Sequence, residues 1–170
     1  AEKELGISGA DLSPVFALIA LFSLLGKLVF GVLSDRIDLR VAILVNAGLL
    51  AGGWAILQTR PDMSMIYVAG VLFGSGVGAA GPLHAVLIGR CFGRAAFGQI
   101  MGLGGLIALP FVAGAAPLAG YLAVETGNYS SAFQMEVIAL GFAALCSLFL
   151  RIPAVEEVEA APTGATVEPA

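Results

Sequence analysis

The sequence predicts an all-α integral membrane protein, and three observations support this fold class. Of the 170 residues, 59% are hydrophobic and only 12% are charged, whereas a soluble domain carries about 25% charged residues. The mean hydropathy is +0.98. The apolar residues also form five runs that are long enough to cross a bilayer core of about 30 Å, which needs roughly 20 residues of helix.

The first predicted helix covers residues 12–34. Ser13 before Pro14 predicts an N-cap followed by proline at the first helical position. Lys27 is the single charge within this run. An ionisable group inside a membrane span is costly unless it faces a cavity or a partner, so we treat Lys27 as a candidate functional residue.

The other four predicted helices carry almost no charge. The single histidine, His84, lies in the third helix, and Glu136 lies near the start of the fifth, where we expect it at the membrane interface. The links between helices are too short to form a separate soluble domain. The four predicted ranges are 41–59, 63–89, 95–124 and 132–150.

Basic residues in the links predict the orientation, because Lys and Arg in short loops stay on the cytoplasmic side. One set of alternate links holds Arg36, Arg40, Arg90, Arg94 and Arg151, and the other holds Lys3 and Arg60. This asymmetry predicts a cytoplasmic C-terminus. We expect a multi-pass protein of the plasma (inner) membrane.

The two ends of the chain are predicted to lie outside the membrane. Residues 1–11 are expected to form an extracytoplasmic link, and they hold no signal that could export them. We therefore expect further helices before Ala1, so that the chain is a fragment of a larger transmembrane protein. Residues 153–170 mix Glu with Pro, Ala and Thr, which predicts a disordered acidic tail.

A motif lies between the first two predicted helices, where a glycine is followed four positions later by an Asp-Arg pair and then by a further arginine. It resembles the signature loop of the major facilitator superfamily, in the weaker form found between the eighth and ninth helices. Asp38 and Leu39 replace the glycine and the base that the stronger form has. The matching residues are Gly31, Asp35, Arg36 and Arg40.

The resemblance implies a twelve-helix secondary transporter that works by alternating access. The five helices would be the eighth to the twelfth and form most of the C-terminal six-helix bundle. The stretches GRCFGRAAFGQIMGLGG (89–105) and ETGNYSSAFQ (125–134) resemble the oxalate–formate and monocarboxylate porters, which implies a mono- or dicarboxylate substrate. A sugar, drug or nitrate porter and a non-transporting membrane scaffold subunit are the alternatives.

Two residues are candidates for substrate contact. Lys27 stands four residues before the motif glycine, where monocarboxylate porters place a base that meets the substrate carboxylate; a snorkelling or helix-pairing function is the alternative. His84 can contact the substrate or carry a coupling proton, since a histidine exchanges protons near neutral pH. Its alternative is a hydrogen bond to a neighbouring helix.

The motif itself suggests a conformational function. Gly31 would let a neighbouring helix approach closely, and Asp35 would accept hydrogen bonds from a helix N-terminus and latch two helix bundles. Arg36 and Arg40 would pair with Asp35, Asp38 or lipid headgroups. The alternative is an ordinary turn with a cytoplasmic positive charge.

Small residues are predicted to form helix contacts. Gly70, Gly74 and Gly78 share one helix face, which permits tight packing against another helix, and Gly98 with Gly102 repeats the spacing. The two cysteines, Cys91 and Cys146, are predicted to be small buried hydrophobic residues rather than a disulfide or a metal site.

The remaining classes of function have little support in the sequence. No nucleophile elbow, HExxH sequence or paired carboxylates appear, so we expect neither an enzyme nor a metal or cofactor. The net charge is −4, which leaves no basic surface for nucleic acid. The expected partners are the preceding helices, a small solute, a coupling proton and the bilayer.

Overall fold

The computed structural model describes residues 9–59, 61–127 and 129–149, and this part of the chain is helical throughout apart from short links. Its helices are α1 (Gly9–Arg36), α2 (Leu39–Gln58), α3 (Met63–Thr126) and α4 (Ser130–Phe149). All four are long and apolar enough to cross a membrane. The predicted all-α membrane fold is therefore confirmed.

Helix α1 begins earlier than the sequence predicted. It starts at Gly9, so Pro14 lies inside the helix and Ser13 is not its N-cap. The proline removes one hydrogen bond in the second turn, and the surrounding apolar sequence keeps the remaining backbone groups helical. Residues 1–8 of the predicted link and the predicted tail at 153–170 lie outside the described residues.

Local capping explains the other helix ends. The Asp38 carboxylate accepts a hydrogen bond from the Arg40 backbone N–H at 2.7 Å and starts α2. The Asp62 carboxylate accepts one from the Met65 backbone N–H at 3.0 Å and starts α3. Gly127 follows α3 with φ 74° and ψ 1°, the left-handed conformation that favours glycine after a helix.

Helix α3 is broken at Gly93, whose φ of 71° and ψ of 179° are not helical. This conformation is available to glycine and to almost no other residue. We call residues 63–92 the first arm of α3 and residues 94–126 its second arm. The break falls within the link predicted between the third and fourth helices.

The two arms of α3 lie side by side. A β-carbon built on Gly104 would lie 3.9 Å from His84 Nε2, although these residues would be about 30 Å apart in a continuous helix. The chain therefore reverses at Gly93 and forms a helical hairpin.

The first arm of α3 is the centre of the bundle. It packs against α1 on one side and α2 on another, and α2 also packs against α4. Trp54 of α2 joins three helices, because its ring lies 4.7 Å from Phe73 of α3 and 5.1 Å from Phe133 of α4, centroid to centroid. The second arm is much less covered, and residues 105–114 are all exposed.

Glycines bring the backbones of α1 and the first arm into direct contact. A β-carbon at Gly74 would lie 2.6 Å from the Ile19 carbonyl oxygen, and one at Gly78 would overlap the Ser23 carbonyl. Gly70 faces Val15 in the same way, at 3.3 Å from its side chain. The predicted packing of Gly70, Gly74 and Gly78 against another helix is confirmed.

In the second arm, no described atom lies within 4 Å of a β-carbon built at Gly98 or Gly102, so packing of this face stays a prediction. Spacing alone places small residues on a face but does not supply a neighbour for that face. The expectation of buried cysteines fails for Cys146, which is exposed on α4, while Cys91 is half-buried. In a membrane helix an apolar side chain is equally stable facing lipid.

Candidate functional site

The pairing of α1 with the first arm of α3 sets the depth of the candidate residues. Contacts join residues of α1 to residues of α3 that lie 49 to 56 positions later, as in Val15–Gly70, Ser23–Gly78, Gly26–Ser75 and Ser34–Arg90. The two segments therefore run parallel. Lys27 lies level with residues 76–83 of α3, so it differs from His84 in depth by at most about 12 Å.

Both predicted substrate residues are exposed and have no polar partner among the described residues. Lys27 and His84 are exposed, and no hydrogen bond or ion pair between described residues involves either side chain. The register brings them to similar depth on two packed helices. His84 Nε2 also faces the second arm at Gly104.

The motif at the end of α1 differs in part from the prediction. Gly31 has nothing within 4 Å of a built β-carbon among the described atoms, so the close helix approach predicted at this glycine is not found in the described part of the chain and stays a prediction. The spacing identified the motif, but the face of α1 that meets α3 carries Gly26 instead. The Gly31 carbonyl accepts a hydrogen bond from Ser34 Oγ at 3.0 Å.

The charges of the motif are solvent-accessible. Asp35 and Arg36 are exposed and Arg40 is half-buried. Within the described ranges none of them forms an ion pair, so the predicted pairing with Asp35 or Asp38 is not found. The Asp38 carboxylate caps α2 instead. A lipid headgroup as the partner of the arginines, and a helix N-terminus as the partner of Asp35, remain predictions.

Arg90 was missed as a functional residue by the sequence analysis, which used it only for orientation. Its guanidinium Nη2 donates a hydrogen bond to the Ser34 carbonyl oxygen at 2.7 Å. Ser34 is fully buried in the last turn of α1, where carbonyl groups lack helical partners and the helix dipole favours a cation. Arg90 therefore holds the motif end of α1 against the first arm of α3.

Asn46 is a second residue that the sequence analysis missed. Its side-chain oxygen is buried and has no hydrogen-bond partner in the described part of the chain. It lies opposite Gly76, 3.5 Å from a built β-carbon, and so at the depth of Lys27. The signal was available, since Asn46 is the one amide in the middle of an otherwise apolar predicted span.

Comparison with known proteins agrees with this architecture. The family model described as the Major Facilitator Superfamily matches residues 1–169, which includes every described helix. No curated protein and no solved structure matches the chain. Together with the apolar helices and the motif between α1 and α2, this match shows that the chain belongs to the Major Facilitator Superfamily of membrane transporters.

Proposed function

We propose that the chain is the C-terminal part of a secondary transporter that moves a small organic anion, a mono- or dicarboxylate, by alternating access. Its five helices, counting the two arms of α3 separately, form most of one helix bundle. The helices that precede Ala1 complete the central cavity. The protein lies in the plasma membrane with a cytoplasmic C-terminus and acts without catalytic chemistry.

The observation that supports an anionic substrate is the isolation of Lys27. It is exposed and forms no ion pair among the described residues. A lone ammonium group inside a span needs an aqueous cavity, a polar partner or an anion. A carboxylate substrate supplies the missing negative charge, and a charge-assisted hydrogen bond to it stabilises the complex.

His84 supplies the second polar contact at similar depth. Its exposed imidazole can donate a hydrogen bond to a carboxylate oxygen or exchange a coupling proton. A carboxylate bound by Lys27 and a proton bound by His84 would cross the membrane as a neutral pair, which lowers the cost of moving the anion through a low-dielectric cavity.

The glycine contacts bear on the alternative of a non-transporting scaffold, in which glycine faces bind partner helices. The face of Gly70, Gly74 and Gly78 already packs against α1, whereas the face of Gly98 and Gly102 meets no described atom. The motif then acts as a conformational latch, in which Asp35 meets the opposite bundle while Arg90 fixes the end of α1.

Uptake by the complete protein in proteoliposomes tests the proposal. Labelled formate, oxalate and lactate are offered to wild type, Lys27→Gln and Lys27→Arg. We expect the wild type to take up at least one of these carboxylates. Lys27→Gln should lose this uptake while its abundance in the membrane is unchanged, and Lys27→Arg, which keeps the positive charge, should retain part of it. Unchanged uptake by Lys27→Gln would remove Lys27 from the site, and no uptake of any carboxylate by wild type would contradict the substrate class.

A further inference from the structure

We propose that Gly104 forms one wall of the ligand site at His84 and sets the room that a bound carboxylate has beside the imidazole. This inference rests on the proposed function, because it assumes that His84 meets the substrate. It places the ligand beside the His84 imidazole, where the two arms of α3 face each other.

The contact itself singles out Gly104. Glycines occur along the whole second arm, and among those in the described range only Gly104 has an atom of another segment within 4 Å of a built β-carbon. That atom is Nε2 of His84, at 3.9 Å. The others are Gly98, Gly102, Gly105, Gly114 and Gly120.

Neither the backbone nor close helix packing requires glycine at this position. Positive φ angles occur in the described chain only at Gly93 and Gly127, so Gly104 has helical geometry that any residue can adopt. Glycine inside a helix is also disfavoured relative to alanine by about 1 kcal/mol. What glycine provides at position 104 is free space next to the imidazole.

The size of that space predicts which substitutions matter. An alanine methyl group would sit at 3.9 Å from Nε2, an ordinary van der Waals distance, so Gly104→Ala leaves the imidazole in place and reduces the space next to it. A leucine side chain extends further, into the volume that the imidazole and its ligand share. Gly104→Leu therefore displaces either His84 or the bound carboxylate.

The chemistry around His84 fits a small carboxylate. In this proposal Nε2 donates to one carboxylate oxygen, and Lys27, which lies at similar depth on α1, supplies the positive charge. Gly104 then acts as a specificity-determining residue, because the side chain at this position limits the size of the substrate's second group. Gly104→Ala is expected to shift the preference from lactate towards formate.

Uptake kinetics of the complete protein test this inference. KM for the transported carboxylate is measured for Gly104→Ala, Gly104→Leu and His84→Gln, with Gly102→Leu and Gly105→Leu as matched controls that meet open space. We expect Gly104→Leu to raise KM by at least about tenfold, as loss of one charge-assisted hydrogen bond does. The two control variants should keep the KM of wild type.

The outcomes separate this inference from the proposed function. If His84→Gln transports like wild type, the function proposed for His84 fails. If His84→Gln is impaired but Gly104→Leu keeps a normal KM, or if the controls raise KM equally, the assignment of Gly104 is overturned.

A second measurement covers the case in which Gly104→Leu does not fold. Gly104→Cys is introduced with both native cysteines replaced by serine, and its reaction with a membrane-impermeant thiol reagent is followed. Protection by the transported carboxylate at position 104, and its absence in Gly105→Cys, supports the inference. Equal labelling with and without the carboxylate contradicts it.

Discussion

The backbone contact between α1 and the first arm of α3 makes a graded prediction about stability. A β-carbon would meet no described atom within 4 Å at Gly89, the Val15 side chain at 3.3 Å at Gly70, and the Ile19 carbonyl at 2.6 Å at Gly74. At Gly78 it would overlap the Ser23 carbonyl. Alanine at the last two positions must push the two backbones apart.

The expected magnitude follows from these distances. Overpacking a tight contact costs about 1–3 kcal/mol, and the higher helix propensity of alanine offsets up to about 1 kcal/mol. Gly78→Ala should therefore lower the free energy of unfolding by about 1–2 kcal/mol. The decrease should be slightly smaller for Gly74→Ala and less than about 1 kcal/mol for Gly70→Ala. Gly89→Ala should be neutral or slightly stabilising.

The assay is reversible unfolding of the purified complete protein by titration with a denaturing detergent, followed by circular dichroism. The unfolding midpoint should be highest for Gly89→Ala and should decrease through Gly70→Ala and Gly74→Ala to Gly78→Ala. Equal midpoints for Gly89→Ala and Gly78→Ala would refute the inference that the backbones of α1 and the first arm touch.

Three further predictions concern the break in α3 and the cytoplasmic motif. Gly93→Ala places a side chain in a conformation reserved for glycine, so it should lower the free energy of unfolding by about 1–3 kcal/mol in the same assay. Gly89→Ala is the control, because Gly89 is helical and a β-carbon there meets no described atom within 4 Å. Equal stability of the two variants would contradict the hairpin geometry. Arg90→Gln removes the charged donor to the Ser34 carbonyl and should lower the free energy of unfolding by about 1.5–3 kcal/mol. Arg90→Lys should have an intermediate effect. An unchanged unfolding midpoint for Arg90→Gln would show that the hydrogen bond from Arg90 to Ser34 contributes nothing to stability. Asp35→Asn should slow carboxylate exchange across the membrane while leaving the Kd unchanged, and a wild-type exchange rate would argue against a latch.

Much of the fold could be predicted from the sequence because a bilayer imposes simple rules on a chain. A run of about 20 apolar residues must be helical where no water can satisfy the backbone. Charged residues end such apolar runs, so Arg90 and Arg94 predicted a link between two helices. The break at Gly93 lies within that link. The predicted start of α1 was wrong because Pro14 was assigned to the first helical position. The helix begins at Gly9 and contains Pro14, which an apolar environment tolerates.

The candidate site was less predictable because it depends on which helices touch. The glycine spacing at residues 70–78 identified a packing face, but Gly31 and Gly98 meet no neighbour in the described part of the chain. The bond from Arg90 to Ser34 joins residues 56 positions apart. Only the parallel pairing of α1 with the first arm of α3 reveals it, and that pairing also sets Lys27 and His84 at similar depth.

Charge restoration at position 27 is the most direct test of an anion site. In the complete protein with both native cysteines replaced by serine, Lys27→Cys should lose carboxylate uptake. Reaction with 2-aminoethyl methanethiosulfonate adds a positively charged side chain of similar length and should restore uptake, whereas the neutral methyl reagent should not. Equal uptake after both reagents, or full uptake by unmodified Lys27→Cys, would contradict the claim that Lys27 binds the anion.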